Sequence, residues 1–230
     1  SEARLASFVA IAKGDVPQHH WFHLSRLVTN VDGRATLMSW GGTMFEYLMP
    51  QLLMRTFPGT LLDQSCRASV RRQIDYGRQR GVPWGISESA YAFTDRDGNY
   101  QYRAFGVPGL GLKRGLATEL VIAPYATALA SLVTPSAAAE NFERLAKLGL
   151  EGRFGFYEAL DYNPRHRDVD TPPDAITRPA VVRAWFAHHQ GMSLVAVANV
   201  VCHDAFVLRF HAAPRIQATE LLLQERVPRE

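Results

Sequence analysis

Two stretches of this chain, residues 117–133 and 191–203, are apolar on almost every side of a helix. A helix with no polar face has to be surrounded by other elements. The pair therefore predicts a core of inner helices wrapped by outer ones, and the outer ones are legible. Residues 2–13 carry Leu5, Phe8, Val9 and Ala12 at helical spacing. After the break at 14–17, His20, Trp21 and Phe22 begin another run, so the opening reads as a helical hairpin. Residues 61–80 form a long helix with an arginine-rich face, residues 136–148 are amphipathic and closed by Gly149, and 216–226 finish the chain. Tyr91 and Phe93 alternate with polar residues before Asp97-Gly98, and Tyr100 and Tyr102 do so after it, which predicts a β-hairpin. Roughly eight or nine helices, one small hairpin and no βαβ alternation make the class mainly α.

At 230 residues and 47% hydrophobic composition the chain is expected to form one globular unit. The net charge of +3 comes from scattered arginines without a basic block or a nucleic-acid motif, so no nucleic-acid partner is expected. Cys66 and Cys202 lack the paired spacing of a zinc site, a redox motif or a disulfide scaffold. No apolar run approaches the roughly 20 residues that span a bilayer. Ser1-Glu2-Ala3-Arg4 resembles neither a signal peptide nor a natural initiator, and the expectation is a soluble piece of something larger.

A carboxylate framed by aromatics and glycine recurs along the chain. Trp84-Gly85-Ile86-Ser87-Glu88 and Phe154-Gly155-Phe156-Tyr157-Glu158 share one aromatic-Gly-x-x-Glu spacing, and Trp40-Gly41-Gly42-Thr43-Met44-Phe45-Glu46-Tyr47 is a looser version. Thr43 is placed to cap the helix carrying Glu46. Ser87 is placed to cap a short helix with Glu88 in its first turn, where the dipole favours a carboxylate. Each block precedes or begins a buried helix, and an amphipathic helix follows. That alternation describes an α/α toroid, in which the loops feeding the inner helices meet at one end; the chain is too short for the full ring.

Glycosidic cleavage needs two carboxyl groups, one protonated and one ionised, about an anomeric carbon. Glu88, Glu158 and Glu46 are the catalytic candidates, although a single glutamate of this kind more often caps a helix or pairs with an arginine. Trp40, Trp84, Tyr91, Phe154 and Tyr157 are candidates for a sugar platform, against the alternative of packing at helix ends. In Ala187-His188-His189-Gln190 the adjacent histidines point to different sides, so no metal site is expected. His188, His189 and Gln190 are instead read as hydrogen-bonding groups, or as a helix start with one histidine satisfied by backbone. Gly85-Ile86-Ser87-Glu88-Ser89 lacks the second glycine of a nucleophile elbow, and Gly109-Leu110-Gly111 lacks the dinucleotide fingerprint, so neither a serine triad nor a cofactor is expected.

Residues 1–17, 45–50, 81–91, 105–115, 121–130, 154–160, 187–199 and 217–228 carry a family resemblance, with VPWGISESAY, FGVPGLGLKRGL and AHHQGM as the most specific blocks. The chain resembles the bacterial cyclic β-1,2-glucan synthases. The resemblance implies that residues 1–230 are the C-terminal part of a glucoamylase-like α/α barrel of the six-hairpin type. It also implies a very large inner-membrane parent that holds this domain on the cytoplasmic side, beside glycosyltransferase and phosphorylase-like domains. The implied substrate is β-1,2-linked glucan, and the implied reaction is a retaining transglycosylation that closes the linear chain into a ring. Glu88 and Glu158 match the family's motif positions as nucleophile and acid/base in an unassigned order, roughly 5–5.5 Å apart. A glucan-binding module, a scaffold or an endo-β-1,2-glucanase-like hydrolase are the alternatives. The three glutamates should converge on one aromatic-lined cleft bordered by His188 or His189, and the incomplete ring should expose apolar flanks that favour self-association and leave the isolated chain binding sugar weakly and turning over little.

Overall fold

The computed structural model describes residues 2–163 and 178–226. Among these the helices are α1 (Ala3–Lys13), α2 (His20–His23), α3 (Met44–Leu48), α4 (Leu61–Arg80), α5 (Pro124–Ala130), α6 (Pro135–Lys147), α7 (Ala187–Val201), α8 (Ala205–His211) and α9 (Pro214–Thr219). Small antiparallel sheets join them: β1 (Val28–Val31) with β2 (Arg34–Leu37), β3 (Glu88–Thr94) with β4 (Tyr100–Ala104), and β6 (Glu151–Gly152) with β7 (Gly155–Phe156). A three-stranded sheet has the order β5 (Val121–Ile122), β8 (Ala159–Asp161), β9 (Ala180–Val182). The chain is thus mainly helical with small sheets, as the hydrophobic pattern predicts.

Local chemistry sets the boundaries. Thr60 caps α4 by accepting the Asp63 amide, and Gly81 ends it in the left-handed region at φ 68°. Thr43 and Glu46 form a capping box that starts α3. The apolar run 117–133 divides differently from the expectation of one helix. Val121 and Ile122 pair with Asp161 and Leu160, and the helix begins only at Pro124, whose missing N–H suits a first turn. Every residue of α5 is buried, so the predicted inner position holds for the shorter helix.

One correction concerns the chemistry. Ser87 does not cap a helix: Glu88 opens strand β3 and pairs with Ala104. Its backbone is committed to the hairpin, whose turn is closed by Gly98 N–H donating to the Asp95 carbonyl. The double glycine does bring backbones together as expected. A Cβ on Gly106 would lie 1.6 Å from the Gly41 carbonyl oxygen, so the 105–111 loop packs directly on the 40–42 loop.

One large core joins α3, α4, α5, α6 and the three-stranded sheet through Ile86, Ile122, Leu129 and Leu160, and a smaller one gathers Phe8, Trp21 and Ile216 near α1 and α9. The expectation that 191–203 is an inner helix is corrected: along α7 only His189, Ala196 and Asn199 are buried, and the apolar side chains Leu194 and Val201, with Leu208 on α8, are 70%, 68% and 54% exposed. Among the described residues no single helix is long and apolar enough to cross a membrane.

Candidate active site

The site is organised on the β3–β4 hairpin. Directly opposite residues of an antiparallel pair share a face, and the face changes with each step along the strand. Glu88, Ala90, Tyr102 and Ala104 therefore lie on one side, and Ser89, Tyr91 and Arg103 on the other. Tyr91 is buried there, with Phe105 edge-on and the Arg103 guanidinium 5.1 Å over its ring. It is a packing residue on the face away from Glu88, which corrects the expectation that it forms part of a sugar platform.

Glu88 is half-buried. Its carboxyl is pushed above the ordinary range first by burial, then by the negative charges of Glu46 and Glu2, with His189 and Lys113 opposing. A carboxyl so placed holds its proton to higher pH, which is what a general acid requires. Lys113 is held nearby by donating Nζ to the Ala104 carbonyl. Glu2, just ahead of α1, is also partly exposed. It is brought here because the partly buried Arg4 guanidinium donates to the carbonyls of Glu46 and Tyr47, tying the start of α1 to α3. No pattern within residues 1–4 announces that contact.

Glu46 is buried and its carboxylate is occupied. It accepts the amides of Trp40, Gly41 and Thr43 at 3.0 Å and the Ser39 hydroxyl at 2.9 Å. These bonds shape the loop that presents Trp40, which is 69% exposed. The Trp40 carbonyl accepts the Lys113 amide at 2.9 Å, so this tryptophan stands beside the lysine whose charge reaches Glu88. Trp84 has the opposite fate. It is 4% exposed, its amide donates to Asn141 Oδ1, and Gly77 leaves just the room its side chain needs. Trp84 is a core anchor between α4 and α6, which corrects its place among the platform candidates.

Glu158 is 2% exposed. Its Oε1 accepts the Ala90 amide at 3.1 Å, and its Oε2 lies 2.9 Å from Nδ1 of His189. Asp161 grips the same strand two residues on, accepting the Ala92 amide at 2.9 Å. The ring of Tyr125 stacks on His189 with centroids 3.7 Å apart and 10° between planes, and its hydroxyl donates to the Glu88 carbonyl at 2.9 Å. The adjacent histidines differ in exposure, His189 buried and His188 exposed, but their ring centroids are 4.0 Å apart, which corrects the expectation that they point to different sides; burial and then His189 lower the His188 pKa. Gln190 donates Nε2 to the Phe156 carbonyl at 3.0 Å and pins the β6–β7 hairpin.

A cavity of about 380 Å³ is lined by Glu158, His189, Tyr125, Tyr157 and Gln190 among others, and Glu88 and Trp40 are not part of its lining. The Tyr157 ring lies tilted by 37° against Trp185 at 4.8 Å, and Trp185 in turn meets the exposed Phe154 edge-on at 5.3 Å. Tyr102, Tyr125, Trp185 and Glu2 are the site residues that sequence reasoning missed. The alternation that places Tyr102 on the Glu88 face was the one available signal. Among the described residues no cluster of three metal-ligating side chains occurs.

The family model described as "Putative glucoamylase" matches residues 1–214. The chain belongs to this glucoamylase family. Over all 230 residues it is 49% identical to cyclic beta-(1,2)-glucan synthase NdvB of Rhizobium meliloti (strain 1021), and it spans 8% of that protein's length. Among solved structures it is similar to an endo-beta-1,2-glucanase from Chitinophaga pinensis, determined with sophorotriose and glucose. The TM-score is 0.65 at 17% identity over 94% of this chain and 52% of that one. A beta-1,2-glucanase from Parabacteroides distasonis gives a TM-score of 0.58 at 20% identity, covering 85% and 26%. These likenesses show the fold of the family, an α/α toroid, of which the chain spans about half the length of the Chitinophaga glucanase.

Proposed function

We propose that this glucoamylase-family chain is the later part of an α/α barrel that acts on β-1,2-linked glucan, and that it rearranges the chain by retaining transglycosylation. The observation that carries the chemistry is the half-buried Glu88, its pKa raised, on the hairpin face that also bears Tyr102, with Lys113 nearby and the exposed Trp40 bonded to the Lys113 backbone. The 49% identity to a cyclic β-1,2-glucan synthase supports the substrate and the ring-closing outcome.

Retention needs a second carboxyl group on the other side of the anomeric carbon. Glu158, read from the sequence as that partner, is buried with both oxygens engaged, and we assign it to holding the strand and His189. Glu46 is engaged throughout and shapes the Trp40 loop. Glu2 is the partly exposed carboxylate whose charge reaches Glu88, and we assign it the nucleophile's side of the reaction, with Glu88 as acid and then base. Trp40 stacks on a glucose ring of the bound chain. The flanking partners in a longer protein would be glycosyltransferase and phosphorylase-like domains at a membrane, by analogy with the synthases.

The test is incubation with linear β-1,2-glucan, with β-1,3- and α-1,4-glucans as controls, followed by mass analysis of the products. Rings from the β-1,2 chain alone support the reading. Shortened linear products would indicate a hydrolase, and binding without turnover a glucan-binding module.

A further inference from the structure

The buried Glu158–His189 pair does not end inside the protein. Oε1 of Glu158 accepts an amide and Oε2 faces Nδ1 of His189, an arrangement that suits the tautomer with hydrogen on Nδ1. Nε2 is left with a lone pair. The same arrangement occurs at His211, where Glu220 faces Nδ1 and Nε2 accepts the Arg55 amide at 2.9 Å. There the free acceptor is taken up by backbone. At His189 it faces the Tyr102 hydroxyl at 3.3 Å, and the stacked ring of Tyr125 keeps the imidazole from turning away.

Tyr102 is 44% exposed and stands diagonally from Glu88 on the same hairpin face. A tyrosine at a sugar site can ordinarily donate or accept a hydrogen bond. With His189 in that tautomer the Tyr102 proton faces Nε2, and what the oxygen offers the open face is an acceptor. We propose that Tyr102 is a substrate-binding residue whose oxygen receives a hydrogen bond from a glucose hydroxyl next to the bond that Glu88 protonates, and that Glu158 and His189 are positioning residues that fix this polarity. In a β-1,2 chain the 2-hydroxyl is consumed by the linkage, so the donor is a 3-, 4- or 6-hydroxyl. The inference rests on the glucan reading above.

The experiment compares Tyr102→Phe, His189→Asn and the double variant on the full chain, with KM and kcat for linear β-1,2-glucan measured separately. Asparagine keeps a donor for Glu158 where Nδ1 stood, and its Oδ1 acceptor stops short of the position of Nε2, so Tyr102 loses its partner. Tyr102→Phe is expected to raise KM about fivefold to tenfold and to lower kcat by less. His189→Asn should raise KM in the wild-type background and not in the Tyr102→Phe background, because its effect passes through one oxygen. A wild-type KM in Tyr102→Phe, or KM effects that multiply in the double variant, would overturn the proposal. If His189→Asn does not fold, the KM of Tyr102→Phe decides alone. A wild-type chain that neither binds nor converts β-1,2-glucan would sink the underlying reading and the proposal with it, a result distinct from an active enzyme indifferent to Tyr102.

Discussion

Glu158 holds the backbone amide of Ala90 at 3.1 Å, two residues from Glu88. A carboxylate with the sequence signature of a catalytic partner thus braces the strand that carries the other one. Removing it leaves the Ala90 amide and the buried His189 without their acceptor. Glu158→Ala is expected to lower stability by about 3 kcal/mol or more, measured by urea unfolding. A loss of activity without a loss of stability would return Glu158 to the chemistry.

Glu88 contributes to stability with the opposite sign from a paired carboxylate. Its folded pKa lies above the unfolded value, so the folded state binds the extra proton and loses stability as pH rises through the folded pKa. Glu88→Gln, which cannot ionise, should therefore raise the Tm near neutral pH and leave it unchanged below the unfolded carboxyl range. Thermal melts of both proteins across pH read this directly, and a Tm difference independent of pH would contradict the raised pKa.

The two tryptophans of the glutamate blocks should separate cleanly. Trp40→Ala removes an exposed ring and is expected to weaken glucan binding about fivefold at unchanged Tm. Trp84→Ala opens a cavity in the core at a cost of about 3–5 kcal/mol. Calorimetric titration and melting of each variant give the contrast.

How far the sequence carries the fold can be seen at α4 and α3, whose starts and stops depend on neighbours within a few residues. Thr60, Gly81 and the Thr43–Glu46 box are local, and their elements are read correctly. The hairpin is legible for the same reason. Ser87 and Glu88 carry equally good local signals for a helix start, but β4 claims Glu88 and the Ser87 hydroxyl caps nothing in its own segment, accepting the Phe45 amide at 3.0 Å. The site depends on such distant contacts throughout. Arg4 brings Glu2 to α3, and Glu158 reaches Ala90. An aromatic-Gly-x-x-Glu spacing marks positions where a carboxylate matters, and whether it is exposed or buried is decided by elements that the spacing does not contain.

The exposed face of Leu194, Val201 and Leu208 on α7 and α8 predicts association of the 230-residue chain. Light scattering should show mass rising with concentration, and replacing Leu194 and Val201 by Gln should suppress the rise. A monodisperse monomer at all concentrations would contradict this.

The central claim is that Glu88 is the acid/base of a retaining reaction on β-1,2-glucan, and the anomeric configuration of the first-formed product tests it most directly. Proton NMR during the reaction of linear β-1,2-glucan should show the β-configuration retained by the wild-type chain. Glu88→Gln should be slowed by about 10²–10⁴-fold. Product of inverted configuration, or a Glu88→Gln variant that works at the wild-type rate, would contradict the account.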